Sequence, residues 1–344
     1  MNAFDPLTQL LEGRKARQIP FDVPDGRKFR ALITGASGVI GISVFRHLIA
    51  MNIFQDGRLE IDCICKTSNS EFNRVFRRSG VSVLQLDLAS RSHVGLNESY
   101  DLIFNCAGYG QPTKFLLDHA AVFSINTALV YDLLNRLVPR GFFLNIGTSE
   151  VYSTESLDST REDSPLVIRP GNSRNAYILA KLAAEEILEK HAEANLDDRV
   201  LSARVALAYG PGTRSDDSRV MYQFFQRARD HKVIKLLDDG SSSRRYIFVD
   251  DCVEIMLRAL FDRERKFRVM NVAGNSDITI LELAKKIGAL YEAEVIPGSF
   301  NMGMKDAPRE VKLNTDLAEG YFQGDFMPIE DGLIAVKRWL DFKK

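Results

Sequence analysis

The sequence predicts an α/β protein, with a doubly wound parallel sheet and a smaller C-terminal lobe. Two observations carry this reading. From Lys28 to about Ile146, short β-branched apolar runs alternate with segments of helical periodicity, the pattern of a parallel sheet covered on both faces. A second, less regular alternation fills the rest of the chain, and no repeat, low-complexity segment or linker interrupts it.

Strands are expected at 29–34, 59–66, 82–87, 101–105 and 142–147, with helices between them, the longest from about Asp118 to Leu137. Further on come a long helix near 174–194, a strand at 199–206, and helices near 218–231, 250–262, 279–291 and 330–342. Residues 1–27 form an N-terminal extension, 28–205 mainly the first lobe and 206–344 mainly the second, with 245–275 returning to the first. In the extension, Leu7, Leu10 and Leu11 suit one helical turn, and Pro20 and Pro24 force an extended path.

Composition narrows the function classes. With 344 residues, 45% of them hydrophobic, the chain buries a sizeable core. A net charge of -1 gives no basic field for nucleic acid. No apolar run reaches the length of a membrane span, and the N-terminus shows no signal-peptide pattern. The four cysteines form no framework, which points to reduced thiols and a cytoplasmic protein. Five scattered histidines offer no metal-ligand spacing, so no metal is expected.

Between the first strand and the first helix lies Thr34-Gly35-Ala36-Ser37-Gly38-Val39-Ile40-Gly41. Gly35 allows the sharp turn, Gly38 admits a pyrophosphate against the backbone, and Gly41 lets helix and strand pack closely. The helix N-terminus then offers free N–H groups to the phosphates. Ligands of such sheets sit at the carboxyl ends of strands, and the chemistry-bearing residues collect there. After the second strand come Lys66 and Thr67, where an NAD site ordinarily has an acid; this favours NADP over NAD. Asp87 and Leu88 follow the third strand as candidates to border the adenine. Ala107 and Tyr109 sit in a small, glycine-rich loop after the fourth.

The fifth strand ends in Gly147-Thr148-Ser149-Glu150-Val151-Tyr152. Downstream, Tyr177 and Lys181 are four residues apart and so share one helix face. A lysine charge beside a phenol lowers the phenol's pKa and makes Tyr177 a usable base. Thr148 is placed to hydrogen-bond the same substrate oxygen, and Glu150 supplies a second acid/base.

These motifs, with Arg204 leading to Tyr209-Gly210-Pro211-Gly212 and the run from Asp239 to Asp251, make the chain resemble the extended short-chain dehydrogenase/reductase family. The similarity is to its nucleotide-sugar epimerase, dehydratase and decarboxylase branch, from about Arg30 to the C-terminus. It implies a Rossmann-like lobe, a substrate lobe and a homodimer paired through the 118–137 helix and the helix of Tyr177. Leu129, Leu133, Leu137, Leu179, Leu182 and Ala183 are the apolar candidates for that face. The implied chemistry is transient oxidation of a sugar, usually at C4, followed by dehydration, epimerisation or decarboxylation. Thr148, Glu150, Tyr177 and Lys181 would be catalytic, with Tyr109, Ser149, Arg214, Arg244 and Arg309 at the nucleotide-sugar substrate.

Three departures from the family pattern stand out. Ser149 replaces the acid that thymidine-linked glucose dehydratases carry, and the Thr-Ser-Glu run is similar to that of other dehydratases and decarboxylases. Leu207 stands where the family usually has a phosphate-contacting Asn. The loop from Tyr109 to Pro112 matches no particular sugar. Two alternatives remain beside the nucleotide-sugar reading. One is an NADP-dependent reductase of a small carbonyl compound; the other is a catalytically silent dinucleotide-binding protein.

Overall fold

The computed structural model describes residues 19, 28–54, 58–66, 76, 81–90, 98–152, 160–166, 168, 170–214, 216–262, 264, 267–298 and 312–342. Its centre is a seven-stranded sheet, and every pairing within it is parallel. The strands are β1 (Phe29–Thr34), β2 (Leu59–Cys65), β3 (Ser82–Gln85), β4 (Tyr100–Asn105), β5 (Leu137–Ile146), β6 (Arg199–Val205) and, from late in the chain, β10 (Phe267–Val272). Their spatial order is β3-β2-β1-β4-β5-β6-β10.

Period-two alternation divides each strand between two cores. Ala31, Ile33, Ile61, Cys63, Leu102, Phe104, Leu144 and Ala203 face one side. There they meet α1 (Val39–Phe54) and α6 (Val249–Phe261) through Phe45, Leu48, Val253 and Met256. Leu32, Ile64, Ile103 and Phe143 face the other side, against α2 (His119–Asn126), α3 (Ala128–Leu134) and α4 (Asn175–Ala194). Burial on both faces explains why all six residues of β4 are apolar or hydrogen-bonded.

The expected 118–137 helix is two helices. Thr127 breaks it at φ -122°, ψ -73°, and its hydroxyl donates back to the Phe123 carbonyl at 2.7 Å, a local bond that competes with the helix ladder. β5 starts at Leu137, earlier than expected, and has a register shift opposite Tyr100. The irregular strand carries Arg140 at φ 67°, whose N–H donates to Asp198 at 2.7 Å. Leu129 and Leu133, expected on a dimer face, are fully buried against the sheet.

A second apolar cluster lies in the later chain. It gathers α5 (Val220–His231), α7 (Ile280–Tyr291) and α8 (Ile329–Phe342) with residues of β7 (Leu207–Tyr209), β8 (Val233–Lys235), β9 (Ser243–Phe248) and β11 (Asp277–Thr279). β7, β9 and β11 form a three-stranded sheet, while β8 pairs with β12 (Glu294–Ile296). Of residues 1–27 the structure describes Ile19, which is buried in the main core; Leu7, Leu10, Leu11, Pro20 and Pro24 lie outside the described residues.

Candidate active site

The strand order reverses between β1 and β4, which opens a crevice at their carboxyl ends. Gly35 turns the chain there at φ +62°, and a Cβ on it would lie 2.6 Å from the Cys106 carbonyl oxygen. The Gly38 N–H donates to the Gly35 carbonyl at 2.9 Å, closing the turn that starts α1. A Cβ on Gly41 would fall 2.4 Å from the same carbonyl, so the helix sits against the turn only because that side chain is missing. Ser37 hydrogen-bonds the Cys65 thiol, while Val39 and Ile40 begin the helix. On the opposite wall, the Ala107 N–H donates to Thr34 Oγ1 at 3.2 Å, tying the two loops together. A tight, side-chain-poor cradle at a helix N-terminus fits a dinucleotide pyrophosphate.

Further along the same edge, Lys66 pairs with Asp87 at 3.0 Å. This contact raises the lysine's proton affinity and offsets the effect of burial on the carboxylate. The Lys66 ammonium also lies 5.8 Å from the Tyr109 ring centroid. The sequence put Tyr109 at the sugar, but its partner is Lys66; Gly110 and Pro112 line the cleft instead. Leu88 is buried beneath, against Leu32 and Ile64. Thr67 and Arg309 lie outside the described residues.

Thr148, Glu150, Tyr177 and Lys181 converge at the ends of β4 and β5. Thr148 is buried and hydrogen-bonds Tyr177, and its Oγ1 accepts the Glu150 N–H at 3.2 Å. Lys181 is buried, and its ammonium donates to the Ile146 carbonyl at 2.7 Å. Burial pulls its pKa down to about 8, against the opposing pull of Glu185. Burial also pushes the Tyr177 phenol well above the ordinary tyrosine value, and the Glu150 charge adds to this. The hydrogen bond from Thr148 and the charges of Arg174 and Arg219 pull the other way. The sequence reading assigns a lowering of the phenol's pKa to Lys181; the lysine's ammonium is bonded to the Ile146 carbonyl, and Arg174 and Arg219 are cations that pull the phenol down.

Arg174, Arg219 and Phe115 had not been singled out from the sequence. Arg174 stands just before α4 and pairs with Glu150 at 2.5 Å. Its spacing three residues before Tyr177 is the signal that could have found it. Phe115 stacks on Tyr177 with centroids 4.3 Å apart and 9° between planes, and Arg174 lies 5.4 Å from the Phe115 centroid. Arg219 opens α5, paired with Asp217 at 2.7 Å.

A cleft of about 420 Å³ runs from Ser149, Glu150 and Arg174 to Arg219, Arg244 and Tyr246. Leu207 lines it, leaving an apolar wall at the position of the family's Asn. Burial lowers the proton affinity of Arg244; Tyr246 opposes this and Arg174 reinforces it. Arg214 does not join the cleft lining; it holds Asp216 at 2.8 Å on the exposed surface. Arg204 is a framework residue, bonded to Glu185 at 2.7 Å and to the Tyr152 hydroxyl at 2.6 Å. No group of three or more metal-ligating side chains occurs among the described residues.

The model of the NAD dependent epimerase/dehydratase family matches residues 31–273. The chain belongs to this family. It is an NAD(P)-dependent enzyme of the extended short-chain dehydrogenase/reductase type, which sets aside the silent-protein alternative. Among curated relatives, a dTDP-4-dehydro-6-deoxy-D-allose reductase from Streptomyces sp is 29% identical over 270 residues, 75% of this chain and 80% of that one. UDP-glucuronic acid decarboxylase 2 of Arabidopsis thaliana is 27% identical over 277 residues, 77% of this chain and 58% of that one. Among solved structures, a UDP-glucuronic acid 4-epimerase from Bacillus cereus superposes with a TM-score of 0.76 at 18% identity, covering 92% of this chain and 100% of that one. That likeness establishes the shared fold.

Proposed function

We propose that the protein oxidises a nucleotide sugar at C4 with a bound dinucleotide and then dehydrates, epimerises or decarboxylates the ketone. The observation that carries this reading is that Thr148 and Tyr177 interact with each other and with Glu150, which lines the cleft, with Arg244 further along it. The Gly35–Gly41 turn, Lys66, Asp87 and Ala107 would hold the dinucleotide, which would supply a reversible hydride acceptor for the sugar carbon. Tyr177 accepts the hydroxyl proton, Thr148 orients the same oxygen, and Lys181 fixes the cofactor ribose. Glu150 then removes the C5 hydrogen, which the neighbouring ketone has made acidic. Ser149 lies at the sugar, while Arg244, Arg309 and Arg214 are the substrate arginines expected from the sequence. Of these, Arg244 has the support of its place in the cleft; two mutually repelling guanidinium groups, Arg174 and Arg244, leave room for an anionic group. In this reading, residues 28–205 carry the dinucleotide, and most of 206–344 carry the substrate.

Lys66 at the end of β2 supports NADP as the preferred dinucleotide, since it offers a cation to a 2′-phosphate. The outward side chains Phe123, Tyr131 and Leu179 support a homodimer through α2, α3 and α4, with Tyr131 and Leu179 61% and 41% exposed. Four free cysteines support a cytoplasmic location.

A second reading has an observation of its own. The 29% identical relative is a keto-sugar reductase, and a net reductase needs Thr148, Tyr177 and Lys181 but not Glu150. Incubation of purified protein with UDP-glucuronate, UDP-glucose, dTDP-glucose and the corresponding 4-keto sugars, with products followed by mass, separates the two. The first reading expects a changed sugar with no net cofactor consumption. Stoichiometric NADPH oxidation by a 4-keto sugar alone would replace it with the second.

A further inference from the structure

We propose that Arg174 is a positioning residue that joins the two proton-handling groups, clamping the Glu150 carboxylate and bracing the Tyr177 ring through Phe115. The proposal rests on the functional reading above, in which Tyr177 and Glu150 act on successive protons. It adds a residue that the reading does not require.

The geometry is a short chain of contacts across three segments. Glu150 lies in the turn after β5, Arg174 immediately before α4, and Phe115 in the helical turn Pro112–Phe115. The carboxylate and guanidinium meet at 2.5 Å with side chains only 29% and 11% exposed, so water screens the contact less than at a surface pair. Arg174 then lies 5.4 Å from the Phe115 ring centroid, on a side chain that is itself stacked on Tyr177 at 4.3 Å. A guanidinium over an aromatic face gains from the ring quadrupole. One arginine thereby fixes the carboxylate's direction and the ring against which the phenol packs.

The clamp also sets the charge at the phenol. The groups acting on Tyr177 come from each neighbouring segment: Glu150 and the Thr148 hydroxyl after β5, Arg174 before α4, and Arg219, with its partner Asp217, before α5. Lys181, on the same helix, is occupied with Ile146. Glu150 is an anion that acts on the phenol, and it opposes formation of the tyrosinate. Arg174, bonded directly to that anion, pulls the phenol the other way. A base for the second proton is thus held beside a base for the first, with a cation that opposes the anion's effect on the phenol.

The experiment reads the phenol itself, so its outcome is separate from whether any nucleotide sugar turns over. Enzyme labelled with ¹³C at tyrosine Cζ and saturated with NADP⁺ is titrated by NMR, with the Tyr177 resonance assigned by its loss in Tyr177→Phe. Arg174→Gln should move the titration to higher pH by about one unit, as expected of an uncompensated neighbouring charge. Glu150→Gln should move it to lower pH, and the double variant should lie between the two single variants, because both the anion and the cation that act on the phenol are gone. Arg174→Lys should restore most of the Arg174→Gln shift. A resonance that titrates identically in wild type, Glu150→Gln and Arg174→Lys while Arg174→Gln only lowers the melting temperature would overturn the proposal. If Arg174→Gln fails to fold, the Glu150→Gln arm still decides: an unmoved or upward-shifted titration overturns it.

Discussion

Lys181 and Ile146 are joined by a hydrogen bond of 2.7 Å from the ammonium to the backbone carbonyl. The bond fixes the lysine at the end of β5, and a Cβ on Gly108 after β4 would lie 3.6 Å from the same ammonium nitrogen. The lysine therefore sits between the end of β5 and the loop after β4, the strand that borders the cofactor crevice. Tyr177, one turn earlier on α4, is held by Thr148 on one side and Phe115 on the other. Helix and strand ends are locked together before any ligand enters.

The lysine's burial has a consequence for stability. Its pKa falls to about 8, below the ordinary lysine range, so over that interval the unfolded chain binds more protons than the folded one. Stability from this residue therefore rises with pH through the window. Urea unfolding of wild type and Lys181→Met should show the difference moving in favour of wild type as pH increases from about 7 to about 10. A difference that is flat with pH would mean that the ammonium is solvated in the folded protein.

Arg204 predicts a larger effect. It is buried with Glu185 and also bonds Tyr152 and the Glu162 carbonyl. Arg204→Met leaves the Glu185 charge buried without its partner, at a cost of about 3–5 kcal/mol. Arg204→Met with Glu185→Leu should cost less than Arg204→Met alone. A single-variant loss under about 1 kcal/mol, the range of an exposed pair, would contradict this.

The strands of the sheet were readable because their apolar runs are buried on both faces, and Gly35, Gly38 and Gly41 mark a turn that backbone geometry itself demands. Tyr177 and Lys181 stand out in the sequence through helical spacing taken together with the Thr148-Ser149-Glu150 run and the glycine-rich turn. What escaped was set by contacts distant in sequence. Arg140 adopts φ 67° because Asp198 receives its N–H, and nothing near residue 140 announces that strand irregularity. Leu129 and Leu133 look the same in sequence whether they face the sheet or a partner; packing against Ile103 and Phe143 decides it. Phe115 becomes part of the site only through a helix that begins sixty residues later.

The cofactor reading has its own test. Lys66→Asp should shift preference from NADP towards NAD by about tenfold, close to 1.4 kcal/mol. The same change places a second acid beside Asp87, so Lys66→Ala serves as the control for lost packing. Binding measured by calorimetry that shows wild type already preferring NAD tenfold would refute the role given to Lys66.

Leu179 tests the dimer. It stands on the outer face of α4, while its neighbours Ile178 and Ala180 are buried. Leu179→Glu adds a charge to a surface that costs nothing in a monomer, so a dimer should dissociate while the melting temperature of the subunit hardly changes. Sedimentation that finds wild type monomeric at micromolar concentration would remove the proposed interface.

The two proton steps can be separated by single substitutions. Tyr177→Phe removes the group that takes the hydroxyl proton, so neither transient reduction of the bound cofactor nor product should form. Glu150→Gln leaves Thr148, Tyr177 and Lys181 present, relieves the anion's opposition to the tyrosinate, and removes the acceptor for the C5 hydrogen. It should still reduce the bound cofactor, seen by the ultraviolet absorbance of reduced nicotinamide, while product formation falls by roughly 10²–10⁴, as expected of a missing acid/base. In heavy water, wild type should place deuterium at C5, and Glu150→Gln should not. Turnover by Glu150→Gln at the wild-type rate would show that no proton passes through this carboxylate. The chemistry would then be confined to C4, where hydride transfer and the Tyr177 proton suffice, as in a 4-epimerase or a keto-sugar reductase.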